Sequence, residues 1–206
     1  MRGERETLST VGIGGSLRSR SGSLAALRVA LDGAAESGAG TELIDVRELD
    51  LPAFAPGRGE PPEAAARLAR AVSDAQGLIW SSPLYHGTVS GSFKNALDWL
   101  ELLSDEEPAY LTDKTVGLIS AGGGSQGLQA INTMEFVVRA LRGWTVPLVV
   151  PVAQAWRAFD LDGRPRSEEL ELQLRMLGRE VAAAALKLSA PSPRNLDTRP
   201  VRERTA

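Results

Sequence analysis

Short apolar runs alternate with segments of helical spacing five times along this chain. The runs have the composition of buried strands and occupy residues 8–14, 42–46, 78–80, 115–121 and 146–152. Each is followed by a segment whose apolar residues recur every three or four positions, at residues 24–34, 63–74, 93–100, 128–141 and 167–188. Such alternation indicates a parallel sheet with helices on both faces. The sequence therefore predicts a three-layer α/β protein.

The number of strands suggests their order in the sheet. For five parallel strands the flavodoxin-like order 2-1-3-4-5 is the leading choice. The fifth strand contains Pro147 and Pro151, which are tolerated best at a sheet edge, and this order places it at an edge. Strands one and three lie side by side where the chain changes direction. The loops after them therefore open into one crevice, with the loop after strand four beside it.

The composition narrows the range of possible functions. The formal net charge of −3 gives neither a nucleic-acid footprint nor a strongly acidic surface. The absence of cysteine excludes thiol chemistry, and a single histidine, His86, excludes a polyhistidine metal site. No signal peptide or membrane span is recognisable, so a cytoplasmic location is expected. Residues 1–188 are predicted to form one domain, and the proline- and arginine-rich residues 189–206 a disordered tail.

The loop after the first strand has the composition of an anion site. Gly14 and Gly15 let the backbone approach a ligand, and the start of the next helix offers N–H groups and a favourable dipole. Hydroxyl groups and one charge are added by Ser16, Arg18, Ser21 and Ser23. The loop lacks the third glycine of the dinucleotide fingerprint and the Gly-Lys-Ser/Thr ending of a P-loop. These features favour a mononucleotide phosphate, although an ordinary glycine-serine turn has a similar composition.

Two further loops carry matching signals. The second contains one aromatic ring, Tyr85, among Ser, Pro, Gly and Thr, and the third contains Gly122-Gly123-Gly124. The first loop reads Gly15-Ser16-Leu17-Arg18-x-x-Ser21, and the second reads Ser82-Pro83-Leu84-Tyr85-His86-Gly87-x-x-Ser90-Gly91-x-x-Lys94-Asn95-Ala96-Leu97-Asp98. This pair of motifs resembles the NADPH-dependent FMN reductase family across residues 8–188.

The resemblance implies an FMN site with a position for each motif. The first loop of that family holds the FMN phosphate, which would place Ser16, Arg18 and Ser23 on the phosphate, with Ser21 next to them. The second loop would follow the ribityl chain and the ring with Pro83, Leu84, Tyr85, His86 and Gly87. The third loop would lie at the pyrimidine end of the ring with Gly122, Gly123 and Gly124.

The chain departs from the family pattern at two places. Many members have Asn where this chain has Ser23, and many have Glu-Tyr-Asn where it has Leu84-Tyr85-His86. The Tyr-His-Gly-x-x-Ser-Gly form is nearer to reductases that supply reduced flavin to separate monooxygenases, so such an enzyme is a possible partner. Tyr85 is interpreted as packing by the flavin, and His86 as a hydrogen-bonding loop residue. No catalytic side chain is assigned, because the cofactor would carry the chemistry.

These features together predict an FMN-dependent NAD(P)H oxidoreductase. Hydride would pass from NADPH, or NADH, to FMN and on to free flavin, a quinone or another small acceptor. The resemblance also implies a homodimer or homotetramer, formed through helices near the flavin. Neither a nucleic acid nor a membrane is expected as a partner.

Two other functions stay open at the level of sequence. A non-enzymatic electron carrier shares the flavodoxin-like pattern, although carriers usually have strongly acidic surfaces. A serine hydrolase is suggested by Gly123-Gly124-Ser125-Gln126-Gly127, which matches G-x-S-x-G between a strand and a helix. The only histidine precedes Ser125, against the α/β-hydrolase order, so the preferred interpretation is a turn with Ser125 as helix N-cap. Trp156 and Phe159 could meet a neighbouring subunit, and the segment Asp160–Gly163 is interpreted as a turn.

Overall fold

The computed structural model describes residues 8–57 and 59–189, and most of the predicted tail lies outside these residues. Six strands form the sheet: β1 (Ser9–Gly14), β2 (Gly40–Asp45), β3 (Gly77–Tyr85), β4 (Thr88–Val89), β5 (Thr115–Ala121) and β6 (Trp144–Val152). The helices are α1 (Gly22–Glu36), α2 (Val46–Leu49), α3 (Glu63–Asp74), α4 (Gly91–Asp98), α5 (Leu128–Ala140), α6 (Ala155–Ala158) and α7 (Glu168–Ser189). A 3₁₀ turn, Trp99–Leu103, continues α4.

The five long strands are all parallel and lie in the order β2-β1-β3-β5-β6. Counted without the short β4, the five parallel strands have the predicted order 2-1-3-4-5. This order places the proline-containing β6 at an edge. The short β4 is an addition, because it pairs antiparallel with the end of β3 through Leu84 and Val89. The flavodoxin-like α/β architecture is therefore confirmed, with one hairpin that the alternation of strands and helices did not indicate.

Successive side chains along the strands pack alternately into two separate hydrophobic cores. On β3, Leu78 and Trp80 pack into one core with α3, α4 and α5, and Ile79 packs into the other with α1 and α7. All three side chains are fully buried. This alternation follows from the pleat of a strand covered on both faces, and it produces the three layers that the sequence predicts.

The structure has strand or helix in three segments where the sequence predicts none. The third strand does not end at Trp80, because Ser81–Tyr85 continue it and pair with β5 and β4. The interval between the predicted second strand and second helix includes most of the short helix α2, and the interval between the predicted fifth strand and last helix contains α6. In each case the local composition favours a turn, and contacts made by distant parts of the chain override that preference.

The helices α1 and α7 cross in close contact. A methyl group on Gly178 would overlap the carbonyl oxygen of Ala30, and one on Gly33 would lie 2.6 Å from the Cα atom of Arg175. Glu36 on α1 accepts hydrogen bonds from Arg175 and Arg179 on α7, and the Arg179 hydrogen bond lowers the pKa of Glu36. This crossing fixes the position of α1, whose first turn faces the crevice. No helix within the described residues is long and apolar enough to cross a membrane.

Candidate functional site

A cavity of about 460 Å³ lies beyond the carboxyl ends of the parallel strands. This is the position where ligands bind in open α/β sheets, and the volume falls within the range typical of small-molecule sites. Its wall is formed by the loops after β1 and β5, as predicted, by the last residues of β3, where a loop was predicted, and also by the segment after β6. Nine of the twelve predicted site residues line it: Ser16, Arg18, Ser21, Ser23, Pro83, Leu84, Tyr85, Gly122 and Gly123.

The loop from β1 to α1 presents hydroxyl groups at a helix start. Ser21 is the N-cap of α1, and its Oγ accepts a hydrogen bond from the backbone N–H of Leu24 at 3.1 Å. The Oγ atoms of Ser21 and Ser23 are 2.9 Å apart and share one hydrogen bond. Two hydroxyl groups joined by one hydrogen bond leave one proton to donate elsewhere. Ser16 is buried, and its Oγ accepts from the backbone N–H of Arg18 at 3.3 Å.

This end of the cavity fits a phosphate group. The first-turn N–H groups of Gly22 and Ser23 have no acceptor inside their own helix, and the helix dipole favours negative charge there. The spare serine proton and the exposed guanidinium of Arg18 add donors at the same place. Backbone donors, a hydroxyl group and an arginine are the groups expected around a phosphate monoester.

Buried serines hold this loop to the rest of the sheet. The backbone N–H of Gly15 donates to the carbonyl of Ser81 at 2.8 Å, and Ser90 Oγ donates to the carbonyl of Gly15 at 2.5 Å. Ser81 Oγ donates to the carbonyl of Ser23 at 2.7 Å, which ties the first turn of α1 to β3. Ser82 Oγ accepts from the N–H of Ser90. The serines that made this stretch look like a loop therefore fix the loop from β1 to α1 in place.

The hairpin after β3 divides the predicted ring-binding residues. Pro83 and Leu84 lie in the cavity wall, and the Tyr85 side chain, 43% exposed, lies at the cavity rim. His86 and Gly87 form the turn between β3 and β4 with φ angles of 49° and 83°, as a two-residue hairpin requires. Neither turn residue lines the cavity. The structure thus places Tyr85 at the cavity and its two neighbours at the tip of the hairpin.

The loop after β5 supplies the opposite wall. The N–H of Gly122 donates to the carbonyl of Val152, and the carbonyl of Gly122 accepts from Ala155, which joins this loop to the β6 loop. Gly122 and Gly123 line the cavity, whereas Gly124 lies outside it. The predicted N-cap role of Ser125 is wrong: the N-cap of α5 is Gly127, and Ser125 is exposed in the preceding loop.

The loop after β6 contributes residues that the sequence reasoning did not assign. Trp156, Phe159 and the turn at residues 160–163 line the cavity, together with Arg20 and Arg28 from the β1 loop and α1. Asp160 accepts hydrogen bonds from the backbone N–H groups of Arg164 and Asp162, which lower its pKa and confirm that this segment is a turn. An aromatic residue after an edge strand was a usable signal, but it was interpreted as a possible subunit contact.

The electrostatics of the cavity are basic at the helix end. Arg18, Arg20 and Arg28 all line it, and none of them forms an ion pair with a carboxylate in the part of the chain that the structure describes. Within residues 8–57 and 59–189 no group of three or more His, Cys, Asp or Glu side chains could hold a metal ion. The three guanidinium groups suit the helix end of the cavity to an anion.

Solved structures share this fold. The flavoenzyme NAD(P)H:(acceptor) oxidoreductase FerB from Paracoccus denitrificans superposes with a TM-score of 0.72 at 19% identity, covering 88% of this chain and 98% of that one. At this identity the likeness establishes the fold alone.

Sequence relatives are more informative. The chain is 33% identical over 152 residues to the NADPH-dependent FMN reductase ArsH of Shigella flexneri, covering 73% of this chain and 58% of that protein. It is 32% identical over 130 residues to the FMN-dependent NADPH-azoreductase of Staphylococcus aureus, covering 63% and 66%. The matches thus span less than two thirds of either relative. The model of the NADPH-dependent FMN reductase family matches residues 8–157. These include the cavity-lining residues of the β1–α1 loop, of the end of β3 and of the loop after β5. The chain therefore belongs to the NADPH-dependent FMN reductase family.

Proposed function

We propose that this protein is an FMN-dependent NAD(P)H oxidoreductase. The observation that carries the proposal is that one cavity combines two features. The start of α1 offers the donors that a phosphate group needs, and Tyr85 and Gly122 line the same cavity. A mononucleotide with a flat ring matches this division into a polar end and a ring-sized end. The names of the two sequence relatives, both of which include FMN and NADPH, support the same cofactor and reductant.

The residues of the cavity fit FMN in a definite orientation. Ser16, Arg18, Ser21 and Ser23, with the first N–H groups of α1, would hold the phosphate. Pro83, Leu84 and Tyr85 would line the ribityl chain and one side of the ring, and Gly122 and Gly123 would approach its other edge. When bound, FMN supplies the hydride-accepting ring of the reaction. The side chains of this protein position the two reactants and exclude water.

The electron acceptor is proposed as a small molecule. Tyr85 stands at an open rim, so a flat acceptor such as free flavin, a quinone or an azo compound could reach the ring after the nicotinamide leaves. The hairpin sequence supports a flavin-dependent monooxygenase as the user of reduced flavin.

We also propose a homodimer or homotetramer. Leu128 and Phe136, eight residues apart on α5, are 51% and 73% exposed, and α5 packs beside the hairpin that carries Tyr85. Light scattering coupled to size exclusion would show a single multiple of the chain mass, and a monomer at micromolar concentration would contradict this proposal.

The enzymatic proposal is tested by steady-state oxidation of NADPH and NADH with FMN, FAD and quinones as acceptors, and with no other protein added. We expect sustained turnover that depends on FMN. An electron carrier needs a separate reductase and would show no sustained oxidation of NADPH or NADH. A Ser125→Ala variant should turn over at the rate of the parent protein, because Ser125 lies outside the cavity. FMN-dependent turnover that disappears in this variant, or no turnover at all, would contradict the proposal.

Replacing Arg18 by alanine should weaken FMN binding more than riboflavin binding. Only FMN carries the phosphate that the Arg18 guanidinium would pair with, and a charge-assisted hydrogen bond contributes about 1.5–3 kcal/mol. We therefore expect the Kd for FMN to rise by about 10- to 100-fold, with the Kd for riboflavin nearly unchanged. Flavin fluorescence titration measures both values. The matched control is Arg70→Ala on α3, whose guanidinium pairs with Glu63 away from the cavity. An equal loss of affinity for FMN and for riboflavin would show that Arg18 does not contact the phosphate.

A further inference from the structure

The cavity continues beyond the place where the FMN phosphate would lie. The loop after β6 runs along α1: a methyl group on Gly22 would lie 3.0 Å from Ala155, and one on Gly163 would lie 3.6 Å from Ala25. Arg28 also lines the cavity and follows Gly22 by six residues, or about 9 Å along the helix axis. A mononucleotide ends at its phosphate, so FMN leaves this extension empty.

An exposed indole borders the extension. Trp156 lines the cavity yet is 76% exposed, and the neighbouring Leu161 is 77% exposed. The guanidinium carbon of Arg157 lies 5.5 Å from the centre of the indole ring, so a cation–π contact supports one face of it. An indole ring that is held in place at a cavity edge can stack on a flat heterocycle, and any nucleobase can stack on such a ring.

The charges along the extension fit a phosphorylated ribose. Arg20 and Arg28 have no ion-pair partner within the described residues, and FMN needs only one phosphate site, which Arg18 and the helix start already provide. Asp162 lines the same stretch, and its carboxylate makes no hydrogen bond or ion pair in the described part of the chain, whereas that of Asp160 is engaged in the turn. A free carboxylate near a phosphate site is a typical acceptor for ribose hydroxyl groups.

We propose that this extension binds an adenosine phosphate, with the base on Trp156, the phosphate between Arg20 and Arg28, and the ribose near Asp162. The inference rests on the proposed flavin site. Two ligands carry this chemistry: FAD, whose adenylate continues from the flavin phosphate, and the nicotinamide nucleotide. The negative charges of Asp160 and Asp162 oppose a second phosphate on the ribose, so FAD and NADH, whose adenosine ribose carries no second phosphate, fit this position better than NADPH.

The test compares flavins that differ only in the adenylate. Flavin-free protein is titrated with FMN and with FAD by calorimetry, and FMN-loaded protein is titrated with 5′-AMP and with 2′,5′-ADP. The variants are Trp156→Ala and Arg28→Ala. Their controls are Trp144→Ala, an indole 60% exposed at the start of β6, and Arg70→Ala on α3, neither of which lines the cavity. We expect FAD to bind at least as tightly as FMN. Because stacking on an aromatic side chain contributes about 1–3 kcal/mol per base, Trp156→Ala should weaken FAD by at least about fivefold, with less effect on FMN.

The outcomes separate this inference from the proposed function. Selective weakening of FAD by both variants supports the subsite and identifies FAD as its source. Weakened binding of 5′-AMP or 2′,5′-ADP to the FMN-loaded protein, with the affinity for FAD unchanged, supports the subsite and identifies the nicotinamide nucleotide. Unchanged binding of all adenosine phosphates, while FMN still binds, overturns the subsite and leaves the proposed function standing. A parent protein that binds no FMN overturns both.

Discussion

Replacing Gly15 by alanine should abolish most FMN binding while the protein stays folded. A methyl group at this position would lie 2.7 Å from two ring carbons of Phe93, far inside normal contact. Phe93 cannot retreat, because it is fully buried and packs edge-on against Trp80 with their ring centres 5.9 Å apart. The backbone of Gly15 is held on both sides by hydrogen bonds from its N–H to Ser81 and from Ser90 to its carbonyl. The loop from β1 to α1 must therefore shift.

The expected size of this effect follows from the cost of overpacking. Forcing a methylene-sized group into a packed core costs about 1–3 kcal/mol, and strain released by moving the loop weakens FMN by about 10- to 100-fold. Flavin titration measures the affinity, and circular dichroism verifies the fold. Gly91→Ala is the matched control, because a methyl group there would meet no heavy atom within 4 Å. A Gly15→Ala variant that binds FMN as the parent does would show that the loop tolerates displacement.

Some elements of the fold could be predicted because local signals agree with the tertiary structure there. The helix Glu63–Asp74 and the strand Thr115–Ala121 have the bounds that the sequence predicts. Pro61 and Pro62 precede that helix, and Gly122 follows that strand. Proline and glycine at these positions indicate where the helix begins and where the strand ends. The strand order also followed from the alternation, since right-handed crossovers leave few arrangements for five parallel strands.

The central strand shows where such reasoning stops. Ser81, Ser82 and Pro83 have the composition of a turn, and the sequence alone favoured a loop there. In the structure the two serine hydroxyl groups find buried partners at Ser23 and Ser90, which are 58 and 8 residues away in sequence. A buried hydroxyl with a partner no longer competes with the strand. A local sequence pattern cannot indicate that Ser81 has a hydrogen-bond partner 58 residues away.

The candidate site was predictable where the β1–α1 loop forms it and less so elsewhere. Ser16, Arg18, Ser21 and Ser23 follow one strand directly, so chain order alone brings them together at the cavity. Trp156 and Arg28 reach the same cavity from an edge-strand loop and from the second turn of α1, and their meeting depends on how the β6 loop lies over α1. That packing is a tertiary property, and composition does not encode it.

Replacing Gly178 by alanine should cause the largest loss of stability in the described domain. Its ideal methyl group would overlap the carbonyl oxygen of Ala30 and lie 2.7 Å from the backbone nitrogen of Ala34. Both neighbours belong to the main chain of α1, so no side chain can rotate away and the helices must separate. Alanine improves helix propensity by about 1 kcal/mol relative to glycine, so any net loss is a lower limit on the packing cost. We expect the free energy of unfolding to fall by about 3 kcal/mol or more.

Chemical denaturation measures this loss, and Ala183→Val on the exposed side of α7 is the matched control, with an expected cost within about 0.7 kcal/mol. Gly33→Ala probes the other side of the same crossing, where a methyl group would meet the main chain of Arg175. The double variant should lose less than the sum of the single losses, because helices already separated by one methyl group have room for the second. FMN affinity should fall in Gly178→Ala, in Gly33→Ala and in the double variant, since the first turn of α1 lines the cavity. A Gly178→Ala variant as stable as the parent would mean that α1 and α7 can move apart without cost.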